Sequence, residues 1–145
     1  MRFLPLGILL LLFASCLDEP DCISTASNKV QIALKRLDVD SARIVIFDSI
    51  QVYSTDSVFY KSDTVTVLSL PVNPGITETT FLFYYELKMD SLVLSYTRET
   101  KMVSPKCGAF NYFQELGVVS TSFSQVTVDN TQLSTGGSTN LTIKL

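Results

Sequence analysis

An antiparallel β-sandwich, immunoglobulin-like or similar and of about seven to nine strands, is the fold class this sequence predicts. From Lys29 onward, apolar and polar residues alternate with a period of two, and the chain is rich in Val, Ile, Thr, Tyr and Phe. Turn-forming residues recur about every eight to twelve positions, the spacing of short strands in an all-β domain. No long 3.6-residue period competes, so the crossover helices of a parallel sheet are missing from the pattern. A closed barrel is the less favoured alternative.

The elements follow in order. Val30, Ile32 and Leu34 alternate with Gln31, Ala33 and Lys35 in a first strand. Ala42 to Phe47 is apolar on both faces and predicts a central strand, with the run continuing through Ile50 and Val52 to Tyr53. Val58 to Tyr60 and Thr64 to Leu70 read as a strand pair around Lys61-Ser62-Asp63. Pro71, Asn73, Pro74 and Gly75 then force a turn, because proline removes ladder donors and glycine tolerates positive φ. Thr79 to Leu87 sets Phe81, Phe83, Tyr85 and Leu87 on one face and Tyr84 on the other, and Lys88 to Asp90 connects it to Leu92, Leu94 and Tyr96. Pro105 and Gly108 predict a bend beside Cys107, with a short helical turn near Phe113 to Leu116. Val118 to Phe123, Gln125 to Val128 and Asn140 to Leu145 complete the strands, with turns at Asp129-Asn130 and Gly136-Gly137.

The start of the chain differs in kind. Arg2 precedes an apolar run of 12 residues, Phe3 to Ala14, and small residues lead to Cys16. That is a secretory signal, too short for the roughly 20 residues a membrane-spanning helix needs. Phe13-Ala14-Ser15-Cys16 resembles the bacterial lipobox, although Phe13 stands where leucine is usual. The resemblance implies cleavage before Cys16 and acylation there, with the chains holding the protein to a membrane. The alternative is an ordinary signal peptide cut at Ala14 or Ser15, leaving Cys16 unmodified.

Three cysteines are an odd count for an exported chain. Lipid on Cys16 leaves Cys22 and Cys107 to pair, as an oxidising compartment permits. Such a bond would stabilise by roughly 4 kcal/mol in the chain-entropy model. A reactive thiol at Cys107 is the other reading, but no CxxC and no histidine partner supports it.

Removing residues 1–15 leaves 130 of the 145, enough for one domain with a real core: a tether over 16–27 and a single sandwich over 28–145. Those 130 residues carry ten basic and fourteen acidic side chains with no Lys/Arg cluster, which speaks against a nucleic-acid partner. The complete lack of histidine excludes Ser-His-Asp triads, Cys-His dyads and HExxH zinc sites. Carboxylate-only catalysis, as in many glycosidases, survives that test. No cofactor motif is present.

Few residues single themselves out for chemistry. Asp38 and Asp40 set two carboxylates on one side of an extended segment, a weak calcium pattern without the DxDxDG loop and more simply a solvated turn. Asn140-Leu141-Thr142 fits an N-glycosylation sequon but lies in an alternating strand, and we discard it. Tyr84 is the one tyrosine placed for exposure, where rings can stack on sugars. The final strand, Leu141 to Leu145, is expected to pair inside its own sheet, with an open edge for a partner strand as the alternative.

Asp40-Ser41-Ala42, Asp48-Ser49-Ile50, Asp56-Ser57-Val58, Asp63-Thr64-Val65 and Asp90-Ser91-Leu92 each resemble the Asp-Ser/Thr-aliphatic acceptor of the Bacteroidetes O-glycosylation system. That resemblance implies modification at Ser41, Ser49, Ser57, Thr64 or Ser91. Turn chemistry alone would also produce the triplets, since Asp and Ser favour turns and an aliphatic residue opens the next strand. Acidic Asp18, Glu19 and Asp21 behind Cys16 loosely resemble the surface-export signals of the same bacteria. Together with Ser104-Pro-Lys-Cys-Gly108, the chain resembles small uncharacterised lipoproteins of Bacteroidetes-type bacteria. The resemblance implies an outer-membrane lipoprotein facing the periplasm or the cell surface, with envelope proteins or glycans as partners. It carries no activity across. The expectation is a non-enzymatic binding or assembly module; a small carbohydrate-active enzyme and a pilin-like strand-exchanging subunit are the alternatives.

Overall fold

A computed structural model describes residues 22, 24–53, 55, 57–60 and 63–145. The signal segment 1–15, Cys16 and most of the 16–27 tether lie outside the described residues. The described chain is all-β, with eleven strands and no helix among the described residues.

Two sheets enclose one core. The first has the order β4-β3-β7-β8-β9, built from β3 (Ser49–Val52), β4 (Val58–Tyr60), β7 (Glu78–Tyr85), β8 (Lys88–Ser104) and β9 (Gly108–Thr121). The second has the order β10-β11-β1-β6, from β1 (Lys29–Lys35), β6 (Val67–Pro71), β10 (Gln125–Val128) and β11 (Leu141–Lys144). A short pair, β2 (Val45–Phe47) with β5 (Asp63–Val65), closes the same core. Alternation does the sorting: Val30, Ile32 and Leu34 of β1, Leu68 and Leu70 of β6, and Phe81, Phe83 and Tyr85 of β7 are all fully buried. Phe47 crosses between the layers, its ring 5.8 Å from Phe83 and 5.2 Å from Tyr85. Every neighbouring pair is antiparallel except β1 with β11, which run parallel. The final strand therefore lies inside its sheet, paired on both sides.

Several sequence expectations change in detail. Ala42–Phe47 is no central strand: Ile44 and Ile46 are exposed, and the ladder breaks at Asp48, whose N–H bonds Tyr84 O. The expected pairing of 58–60 with 64–70 does not form, because β4 pairs with β3 and β5 with β2, while Thr66 interrupts the second run and accepts from Leu34 N. Leu87 is not in the phenylalanine stripe; the chain reverses at Glu86-Leu87, and Lys88–Asp90 already belongs to β8. The helical turn near Phe113–Leu116 is instead a bulge in β9 at Glu115, φ 57°. One extra residue in the strand brings Phe113 and Leu116, three apart, onto the same buried face, which imitates helical spacing.

The β8–β9 hairpin outruns the sandwich. Tyr96 and Phe113 are the last buried residues toward its tip, and Thr97–Met102 with its partners continues as a solvated two-stranded ribbon. Arg98 donates to Pro74 O at the ribbon's base.

Candidate functional site

The two ends of the sandwich differ. At one pole the turn Tyr85-Glu86-Leu87-Lys88 joins β7 to β8 with only two residues between paired positions. A two-residue hairpin loop matches the twist of its strands when both residues take positive φ, which is why Asn and Gly dominate such turns. Here Glu86 sits at φ 50° and Leu87 at φ 60°. Each costs roughly 1–2 kcal/mol for a side chain bearing Cβ. Leu87 is also completely exposed. A leucine is thus held on an apex that neither backbone preference nor burial favours.

Its surroundings are part apolar and part cationic. Glu86 accepts from Arg43 Nη2 at 3.1 Å and lies 4.0 Å from Lys88, whose ammonium stands 4.5 Å over the Tyr85 ring. Arg43 also lines an open cleft of about 460 Å³ with Arg36, Leu37, Asp38, Ile44 and Leu145. The arm that shapes this cleft returns to β1: Arg36 N bonds Ser41 O, Arg43 N bonds Leu34 O, and Leu37 N bonds Leu145 O. Leu37, Val39, Ile44 and Met89 are each about half exposed or more, so apolar groups rim the pole.

Asp38 and Asp40 do not form a cation cage. Asp40 bonds Lys35 Nζ at 2.7 Å, and that hydrogen bond, helped by the lysine's charge, lowers its pKa. No group of three or more His, Cys, Asp or Glu positioned for a metal occurs among the described residues. Asp90 accepts from Tyr85 Oη and from Ser122 Oγ, both at 2.6 Å, so it ties β7 to the β9 exit. Burial, then the bond to Asp90, raises the Tyr85 pKa.

The acceptor-like triplets scatter across the surface. Ser41, Ser57 and Thr64 are exposed, whereas Ser49 and Ser91 are half-buried on the outer face of the first sheet. Ile50 and Leu92, the aliphatic members beside those two, are fully buried. In these two triplets alternation alone places the hydroxyl outward. Asn140, the discarded sequon residue, is buried and accepts from Gln31 N while donating to Asn130 O and Gln132 O. Tyr84 is half-buried, and Tyr53 is the more exposed ring.

At the other pole Cys107 sits in the hairpin turn, Ser104 Oγ accepting from its N–H, with Gly108 at φ 74° completing the reversal. It is disulfide-bonded to Cys22 with Cα atoms 5.4 Å apart. Cys16 lies outside the described residues. The pole built by Glu86, Leu87 and Arg43 was missed in the sequence because the turn carries no glycine or asparagine. The usable signal was phase: inward residues shift from odd (Phe81, Phe83, Tyr85) to even (Leu92, Leu94, Tyr96), which requires an even-numbered loop.

No curated protein and no solved structure matches the chain. A family of unknown function, DUF6452, matches residues 43–145, from Arg43 through the Leu87 turn and Cys107 to the last strand, leaving β1 and Cys22 outside the matched range. By a match over most of its length, the chain belongs to the DUF6452 family.

Proposed function

We propose that this chain is a lipid-anchored envelope protein of the Bacteroidetes type, held to the outer membrane through Cys16, and that it works as a non-enzymatic binding or assembly module. The observation that carries the binding role is Leu87: fully exposed at the apex of a turn whose two central residues both have positive φ. Strain kept in a surface turn is a pointer to function rather than to folding. The Arg43-lined cleft and its apolar rim extend the surface around it, a combination suited to a partner offering an apolar anchor beside an acidic group. The Cys22–Cys107 bond and the Leu87 turn lie at opposite ends of β8, which supports a presented surface remote from the start of the domain.

A photoreactive amino acid at position 87 of the full chain, irradiated in intact cells, tests this. A discrete crosslinked species is expected from position 87 and not from exposed Thr100 on the ribbon, and Arg43→Glu should abolish it. Equal crosslinking at both positions would remove the assignment. The intact mass of the chain from its own envelope tests the anchor, which requires a chain beginning at Cys16 with added acyl groups.

A further inference from the structure

We infer that the tip of the β8–β9 hairpin is a membrane-contact element, and that the Cys22–Cys107 bond turns a flexible lipid tether into an orienting one. This rests on acylation at Cys16. A lipid anchor followed by a free linker lets a domain tumble, but here the linker is short and its far end is fixed. Six residue steps separate Cys16 from Cys22, a reach of no more than about 22 Å. Cys22 is bonded to the hairpin turn itself, so the tip is the part of the fold drawn to the bilayer.

The tip is built for that place. Met102 is 70% and Val103 43% exposed, although both lie in a strand, and Pro105 follows them in the turn. Lys101 pairs with Glu99 at 3.0 Å and stands 5.6 Å from the centroid of the Tyr112 ring, so its charge is matched on the ribbon and the tip presents mainly apolar groups. Net charge is not the driving force, because Asp18, Glu19 and Asp21 belong to the same short linker. The contact is apolar and interfacial. It need not be strong, because tethering at this range gives an effective concentration of about millimolar or above. The occupant is the bilayer that carries the acyl chains. Leu87, preceding the other end of the 17-residue β8, would stand about 50 Å farther out.

The chain has no tryptophan, so one introduced indole reports from one place. The full mature chain would be reconstituted into phosphatidylcholine vesicles containing lipids brominated high on the acyl chains, with Met102→Trp, Val103→Trp or Leu87→Trp as single reporters. Quenching at least threefold greater at 102 and 103 than at 87 is expected, and it should persist in 0.5 M salt. In the Cys22→Ser/Cys107→Ser background, quenching at 102 should fall to the level at 87. Equal quenching at the two poles of an acylated chain, or tip quenching undiminished without the disulfide, overturns the orientation and leaves the anchor standing. A chain whose intact mass shows no acyl group overturns both.

Discussion

Removing the disulfide with Cys22→Ser/Cys107→Ser should lower global stability by about 3–4.6 kcal/mol. The upper figure is the loop-closure entropy that the 85-residue separation takes from the unfolded chain. The lower one allows for what the native state regains. Without the bond, residues 24–27 keep few ties to the body: the bridge Ala26↔Ser134, Thr135 N to Thr25 O, Thr135 Oγ1 to Ala26 O, and Ser24 Oγ to Tyr112 Oη at 3.4 Å, whereas Asn28 stays held by Val72 N donating to its carbonyl at 2.7 Å. The ribbon beyond Phe113 is solvated on both faces for much of its length. Both segments can fray while the core stays closed, returning about a third of the entropy difference to the folded side. Urea unfolding followed by circular dichroism gives the difference, and the thermal midpoint should drop by about 10–20 °C. Hydrogen exchange should rise locally, over residues 98–112 and 24–27, and little in β1 or β7. A loss below about 1 kcal/mol would refute the unfolded-state argument. Exchange rising equally in β1 and the ribbon would refute the claim that the bond ties two separable segments.

Other outcomes follow from particular contacts. Replacing Glu86-Leu87 by Asn-Gly should stabilise the fold by about 1–2 kcal/mol in urea titrations, since both positive-φ positions become permissive, while removing crosslinking from a photoreactive residue placed at neighbouring Met89. Tyr96→Phe should cost about 1–3 kcal/mol: buried Tyr96 Oη donates to Asn73 O and contacts Thr79 Oγ1, both at 2.7 Å, and its loss leaves those groups short of a partner. The pKa values of Tyr85 and Tyr96 are both raised, chiefly by burial, so this stability is complete below about pH 10 and falls above it, as the unfolded chain ionises before the folded one. Denaturant midpoints should therefore decline from pH 10 upward, and less steeply in Tyr96→Phe. Peptide mapping of the native protein should place any hexose on Ser41, Ser57 or Thr64, which are exposed, in preference to Ser49 and Ser91.

Alternation made most of the fold legible because burial enforces it. Where two faces differ, as in β1, β7 and the inner half of β8, the inward residues Val30, Ile32, Leu34, Phe81, Phe83, Tyr85, Leu92, Leu94 and Tyr96 are buried, and only Leu87, just past the end of β7, departs from its expected face. Legibility fails where the chain changes partner. Ile44 and Ile46 look central because both faces are apolar, yet a three-residue strand in a two-stranded pair leaves one face open. The parallel contact of β1 with β11 brings together residues more than a hundred positions apart. No local spacing encodes such a contact, since the same alternation suits either direction.

Of the two poles, the sequence exposed one and hid the other, for opposite reasons. Cysteine arithmetic found the disulfide-bonded end, because covalent pairing is a counting problem once Cys16 is set aside. The presented end is invisible to residue-type rules because it breaks them. A two-residue loop wants Asn-Gly and has Glu-Leu; an exposed apex wants a polar residue and has leucine. Such conflicts would disappear readily under selection for stability alone, since most substitutions toward Gly or Asn at these φ values relieve strain. Strain relief and binding thus make opposite demands on Glu86 and Leu87. A gain in stability joined to a loss of crosslinking from a photoreactive residue at neighbouring Met89 in the Asn-Gly variant would measure both at one turn.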